Sequence, residues 1–300
     1  MRTKWSPVAV FCIQAICPKV AIFALTAVLL LSPRLGFSDG GSEGVPNVEA
    51  SAKTKQAIWA RLKQLEAHTF PRDAKSIDEI QSINLADASL KHGDLKMLGA
   101  LPKLRHLFMD DVTIPDRNLK PLTRLGRLER LSLRGVTLRE NDLKHIATLK
   151  RLEHLNLDRT PVSDKGILRL VRLPKLRGLG LADTNITSKG LKHISTLDDL
   201  RRLVLDDTGV GDEGIKHLAT APQLRELVLD NTEIGDEGIK HLVKAPQLQE
   251  LSLRRTGISD AGLELLSKCE QLQKVDLSHT DVSIKGVKHL KNLKSLHAED

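Results

Sequence analysis

Residues 200–223 read LRRLVLDDTGVGDEGIKHLATAPQ, and residues 224–247 read LRELVLDNTEIGDEGIKHLVKAPQ. Within them GDEGIKHL runs unchanged from Gly211 to Leu218 and again from Gly235 to Leu242. Asp, Glu, Gly and His crowded together suit a metal loop, an acid/base pair or one wall of a scaffold. Sliding the chain against itself by 24 residues decides between these readings, because the match extends in both directions. Units begin at Ile80, Leu104, Leu128, Leu152, Leu176, Leu200, Leu224, Leu248 and Leu272. These nine units carry no insertion or deletion, and a broken tenth starts at Leu296.

Each unit changes its hydrophobic period half-way. Leu203-Val204-Leu205 sits in a stretch of period two, which suits a short strand, while Ile215, Leu218 and Ala221 recur every third residue, which suits a helical turn. A single strand-plus-turn unit cannot bury its own apolar face, but stacked units can. The expected fold is therefore α/β: a parallel sheet on one side of a solenoid and helical segments on the other.

The template L-x-x-L-x-L-x-x-T-x-[IV]-x-D-x-G-[IL]-x-x-L resembles the leucine-rich repeat family, whose signature is L-x-x-L-x-L-x-x-[NC]-x-L. The resemblance covers residues 80–295. It implies a right-handed horseshoe with parallel concave strands and short convex helices, and a ligand docked on the concave face. The family usually has Asn at the ninth position, bonding backbone between coils. Here six consecutive units have Thr160, Thr184, Thr208, Thr232, Thr256 and Thr280, after Ala88, Val112 and Val136 in the first three. A hydroxyl both donates and accepts, so a threonine ladder can do the same work. In this departure the chain is similar to bacterial secreted repeat proteins and to the cysteine-containing subclass.

The repeat also disposes of most chemical candidates. Asp116, Glu140, Asp164, Asp212, Asp236 and Asp260 fall where the helical segment begins, where a carboxylate favours the helix N-terminus. Asp116–Lys120, Glu140–Lys144, Asp212–Lys216 and Asp236–Lys240 have the spacing of helical ion pairs. His145, His193, His217, His241 and His289 recur at one position, one per coil, whereas metal ligands must converge on one ion. Lys96, Lys120, Lys144, Lys192, Lys216, Lys240 and Lys288 form a convex stripe that could touch an anionic surface. No G-x-S-x-G, HExxH or Gly-rich phosphate loop occurs. Cys269 takes a core position and reads as a structural thiol. The expectation is a protein that is not an enzyme and holds no metal or cofactor.

Composition agrees. Aromatic residues make up only 2 % of the chain, and Tyr is absent, so the core is aliphatic. Four of the 46 basic residues and none of the 38 acidic ones fall in residues 1–38, so the remainder carries a net +4. That balance does not point to nucleic acid.

Residues 1–38 begin with Arg2 and Lys4, continue through an apolar run from Val20 to Leu31, and end in Gly36 and Ser38. This is the order of a secretory signal. The alternative is an uncleaved membrane anchor over residues 8–31. Both place the rest of the chain outside the cytoplasm, secreted or periplasmic. Residues 39–50 read as a linker and 51–79 as a helical N-terminal cap, with Ile58, Trp59, Leu62 and Leu65 as its apolar face; residues 80–300 form the repeat domain. A ubiquitin-ligase adaptor, the weakest reading, would need a longer segment before the repeats.

Partner-binding candidates are the variable residues among and just after the strand leucines. The twelve chosen are Phe108, Asp110, Arg130, Arg134, Asp158, Arg159, Asp206, Asp207, Glu226, Asp230, Arg254 and Arg255. Adjacent strands lie about 4.8 Å apart, so Asp206 and Asp230 should be like-charged neighbours, and Arg254 comes next to relieve one of them. The implied ligand is a protein with a basic patch, and Phe108 is the aromatic anchor.

Overall fold

The strand leucines alternate with outward residues, and that alternation builds one continuous sheet. The computed structural model describes residues 51–290 and 293–298, without the side chain of Asp116. The signal or anchor of residues 1–38 and the linker of 39–50 lie outside the described residues. Among the described residues no helix is long and apolar enough to cross a membrane.

Among the described residues eleven three-residue strands pair in chain order. β1 (His68–Phe70) runs antiparallel to β2 (Ser82–Asn84). Thereafter β3 (His106–Phe108), β4 (Arg130–Ser132), β5 (His154–Asn156), β6 (Gly178–Gly180), β7 (Arg202–Val204), β8 (Glu226–Val228), β9 (Glu250–Ser252) and β10 (Lys274–Asp276) follow in parallel at the 24-residue step. The middle residue of each points inward; Leu107, Leu131, Leu155, Leu179, Leu203 and Leu227 are at most 2 % exposed. The return segments supply the other wall of the core. They are α2 (Asp94–Leu98), α3 (Leu143–Ile146), α4 (Asp164–Leu170), α5 (Ser188–Ile194), α6 (Asp212–Leu218), α7 (Asp236–Leu242), α8 (Asp260–Leu266) and α9 (Ile284–Val287). The second coil has only 3-10 turns, Pro115–Arg117 and Lys120–Arg124; Pro121, at the place of His217 and His241 inside α6 and α7, withholds an amide that an α-helix needs. Packed helices need about 8–10 Å and strands about 4.8 Å, so the strands take the inner, concave side.

Three expectations need correction. The last step is not 24 residues: β11 (Ser295–His297) sets Leu296 opposite Val275, so the last coil closes three residues early and starts at Leu293. Its helix has four residues against seven in α4 to α8, which is where the missing turn went. The threonine ladder does not join coils. The Thr160, Thr184, Thr208, Thr232 and Thr256 hydroxyls donate to the carbonyls of Leu157, Leu181, Leu205, Leu229 and Leu253 of their own coils, at 2.5–2.6 Å. Nor do Asp212 and Asp236 pair with Lys216 and Lys240. Those lysines bond Glu213 and Glu237, one helical turn away.

The aspartates reach into the next coil instead. Asp212 accepts the Gly235 amide at 2.8 Å; Asp236 accepts the Ser259 amide at 3.0 Å and its hydroxyl at 2.6 Å. Asp164 and Asp260 repeat the contact with Thr187 and Ser283. Each carboxylate lies over a glycine of that next helix. A Cβ on Gly238 would stand 2.6 Å from the Asp212 carboxylate, and one on Gly262 2.3 Å from that of Asp236. The D-x-G of the template is thus one contact split across two coils.

The N-terminal cap is α1 (Ala52–Gln64) plus β1, a strand that the sequence reading missed. Ser51 caps the helix by accepting the Thr54 amide, and Ile58 and Leu62 enter the core. Arg61 grips Asp94 of the first coil with two bonds, 3.0 and 2.7 Å, and the two side chains are 19 % and 10 % exposed.

Candidate functional site

In each coil three residues look out from the strand face: the first and third of the strand, and the one two places further on. The next residue turns the chain away from the sheet in left-handed conformation. Asp87, Asp111, Arg159, Asp183, Asp207, Asn231, Arg255 and His279 all have φ of 51–60° there, and Gly135 has 68°. This divides the twelve candidates. Phe108, Arg130 and Glu226 lie on strands; Asp110, Arg134, Asp158, Asp206, Asp230 and Arg254 lie just after them. Arg159, Asp207 and Arg255 are exposed on the turn that edges the face, not on the face itself. Arg159 and Arg134 both reach Asp111, at 3.5 and 3.8 Å.

The centre of the face is formed by β7 and β8. Arg202 and Glu226 form an ion pair across these strands. Beside it Val204 pairs Val228, both half-buried, and beyond them come Asp206 and Asp230. The two valines were missed because an apolar residue in a strand reads as core; only its place in the repeat shows that it faces out.

The carboxylates are built in. Asp158 accepts the Ala182 amide at 2.9 Å, Asp206 the Asp230 amide at 3.3 Å, and Asp230 the Arg254 amide at 3.0 Å and the Ser252 hydroxyl at 2.6 Å. Ser132 likewise donates to Asp110. Burial pushes the Asp158 carboxyl above the usual range. It pushes Asp206 up to about 7, with the Asp230 carboxylate adding repulsion. Asp230 is also raised by burial, against the pull of Ser252 and Arg254. Arg254 therefore relieves Asp230 and leaves Asp206 without a cation.

β6 gives the face its one gap. Gly178 and Gly180 carry no side chains, so the β5 residues lean across. A Cβ on Gly178 would meet His154 at 2.6 Å, and one on Gly180 would meet Asp158 at 2.7 Å and Asn156 at 3.1 Å. Phe108, in β3, stands four coils from the valine pair, between Asn84 and Ser132.

Among the described residues no three His, Cys, Asp or Glu gather around a common point. Cys269 is partly buried, and desolvation pushes its thiol up to about 11, far from a reactive thiolate.

The family model described as Leucine Rich repeat matches residues 221–243 and 245–267. Among solved structures, an internalin (inlF) from Listeria monocytogenes is similar to 82 % of this chain over 94 % of its own, at 17 % identity and a TM-score of 0.50. An internalin C2 (inlC2) from the same organism covers 74 % of this chain and 82 % of its own, at 20 % identity and a TM-score of 0.47. The plant peptide hormone receptor RGFR1, solved in complex with RGF2, covers 74 % and 40 %, at 16 % identity and a TM-score of 0.45. At these identities the likeness is one of fold. No curated protein sequence matches the chain.

Proposed function

Because the chain is built from leucine-rich repeats, we propose that it is an exported, non-catalytic module that captures a protein ligand on its strand face, and that the ligand presents a basic patch. The observation that carries this is the centre of the face: the Val204–Val228 pair set between an ion pair on one side and Asp206 and Asp230 on the other. Apolar contact flanked by two aspartates, of which only Asp230 has a neighbouring cation in Arg254, is the composition of an interaction centre for a Lys- or Arg-bearing surface. Export rests on the basic, then apolar, then small-residue order of residues 1–38. A mature N-terminus near Asp39 in a soluble fraction would support secretion; retention of residues 8–31 in membranes would support the anchored reading.

The test is affinity capture with the native chain as bait, repeated with Phe108→Ala, with Val204→Ser, and with Asp206 and Asp230 both changed to Lys. The expected result is loss of the captured protein with the central changes. Equal recovery by all baits sinks the strand-face assignment.

A further inference from the structure

The edge of the sheet where the strands begin carries a second surface, unrelated to the strand face. The residue just before the first leucine of a coil is Lys103, Arg127, Arg151 and Lys175 in four consecutive coils, within PKLR, GRLE, KRLE and PKLR. All four are exposed, and among the described residues none forms an ion pair. Their coils are locked in step two residues on, where Glu129, Glu153 and Arg177 donate their amides to the carbonyls of Arg105, Glu129 and Glu153 at 2.7–2.8 Å. The four cations therefore stand in file at the coil step of about 4.8 Å. The acids nearest the file are taken: Glu129 by Arg105 at 3.4 Å and Glu153 by Arg177 at 2.9 Å. Asp198 and Asp199 end the file in the next coil.

Like charges in file at that spacing repel one another and do nothing for the fold. The convex lysines differ, since Lys216 and Lys240 are neutralised by Glu213 and Glu237. The opposite edge of the sheet is acidic, but Asp158, Asp164, Asp212, Asp230, Asp236 and Asp260 spend their oxygens on the next coil. A second copy of this chain is thus a poor counterpart. At its N-terminal end the file meets Asp78, which feels Lys103 and bonds Lys55 at 2.6 Å. Lys55, Lys63 and Lys75 there line an open cavity of about 310 Å³ with Trp59 as one wall.

We propose that this edge binds a linear acidic polysaccharide, laid along the solenoid with its charges on the Lys103–Lys175 file and a sugar ring against Trp59. Charge repeats at every coil, while the aromatic occurs once, at the end. A single-stranded nucleic acid needs an aromatic platform for successive bases, and Trp59, Phe70 and Phe108 are the only aromatic residues described.

The test is affinity electrophoresis of the full chain in polygalacturonate and in heparin, at about 50 mM salt. Replacing Lys103, Arg127, Arg151 and Lys175 by Gln should weaken binding at least about tenfold, because each cation releases a counterion. Replacing the exposed Lys165, Lys189, Lys192 and Lys268 by Gln, the same change in net charge on the helix side, should weaken it less than about twofold. Trp59→Ala should weaken it independently. Binding to neither polymer overturns the proposal. So does an equal loss from both sets, or tighter binding to oligothymidylate or polyglutamate. Unfolding curves confirm that the charge variants fold, and that Trp59→Ala, which removes a ring packed in part against the core, folds as well.

Discussion

Asp206 shows how much one residue's surroundings can impose. Its carboxyl is half-buried, lies beside Asp230 and feels Asp158 across Ala182, so it holds its proton up to about pH 7. In the unfolded chain it would lose that proton near its ordinary value of 3.8. Between these values the folded state binds more protons than the unfolded one, so stability falls as pH rises. Urea midpoints of the native chain should therefore drop from pH 5 to pH 8, and Asp206→Asn should flatten part of that slope. A variant with an unchanged slope would mean that Asp206 titrates as an ordinary carboxylate. Arg255 makes the opposite point. It holds φ at 53° on the edging turn, where Asn or Gly rests more easily. Arg255→Gly should raise thermal stability by about 0.4–1 kcal/mol, set against the backbone entropy that Gly adds to the unfolded chain. The sequence could name both residues, but not which of them looks out from the sheet and which turns away. That distinction is a backbone property, visible only once the left-handed turn is placed.

At the scale of the element, the strands were legible and the contacts between coils were not. Leucines at fixed offsets survive substitution of everything else, because each has one buried neighbour above and one below. The threonine hydroxyls and the aspartates carry no such signal, since the same letters serve a bond inside the coil or across it. Thr232 donates within its coil, so Thr232→Val should cost about 1 kcal/mol in chemical unfolding and leave its neighbours in register. The carboxylate over Gly238 is a contact across coils. Gly238→Ala should cost about 1–3 kcal/mol by overpacking. Asp212→Ala should recover much of that loss in the double variant, a coupling that measured unfolding energies would reveal. The cap follows the same logic: Arg61→Ala strands Asp94 beside the first coil, and about 2–4 kcal/mol of stability should go with it. β1 escaped notice because HTF has no period to read. The short last coil escaped because Leu293 and Leu296 both fit the template.

The molecule as a whole separates its charge by edge rather than by end. The aspartates that knit coil to coil collect where the strands finish; the Lys103–Lys175 file, whose members form no ion pair among the described residues, stands where the strands start. A net charge of +4 for residues 39–300 conceals this, which is why composition did not point to nucleic acid. The same division of labour bears on how such a chain can change length. From Asp164 to Gly286 each coil offers an oxygen side chain to the coil after it, a carboxylate from Asp164, Asp212, Asp236 and Asp260 and the hydroxyl of Ser188, and a bare glycine to the coil before it. A coil copied whole therefore brings both halves of its own joint, and its neighbours need no adjustment. The identical GDEGIKHL pair has the form such copying would leave, and the fold can lengthen by tandem duplication without inventing a new interface.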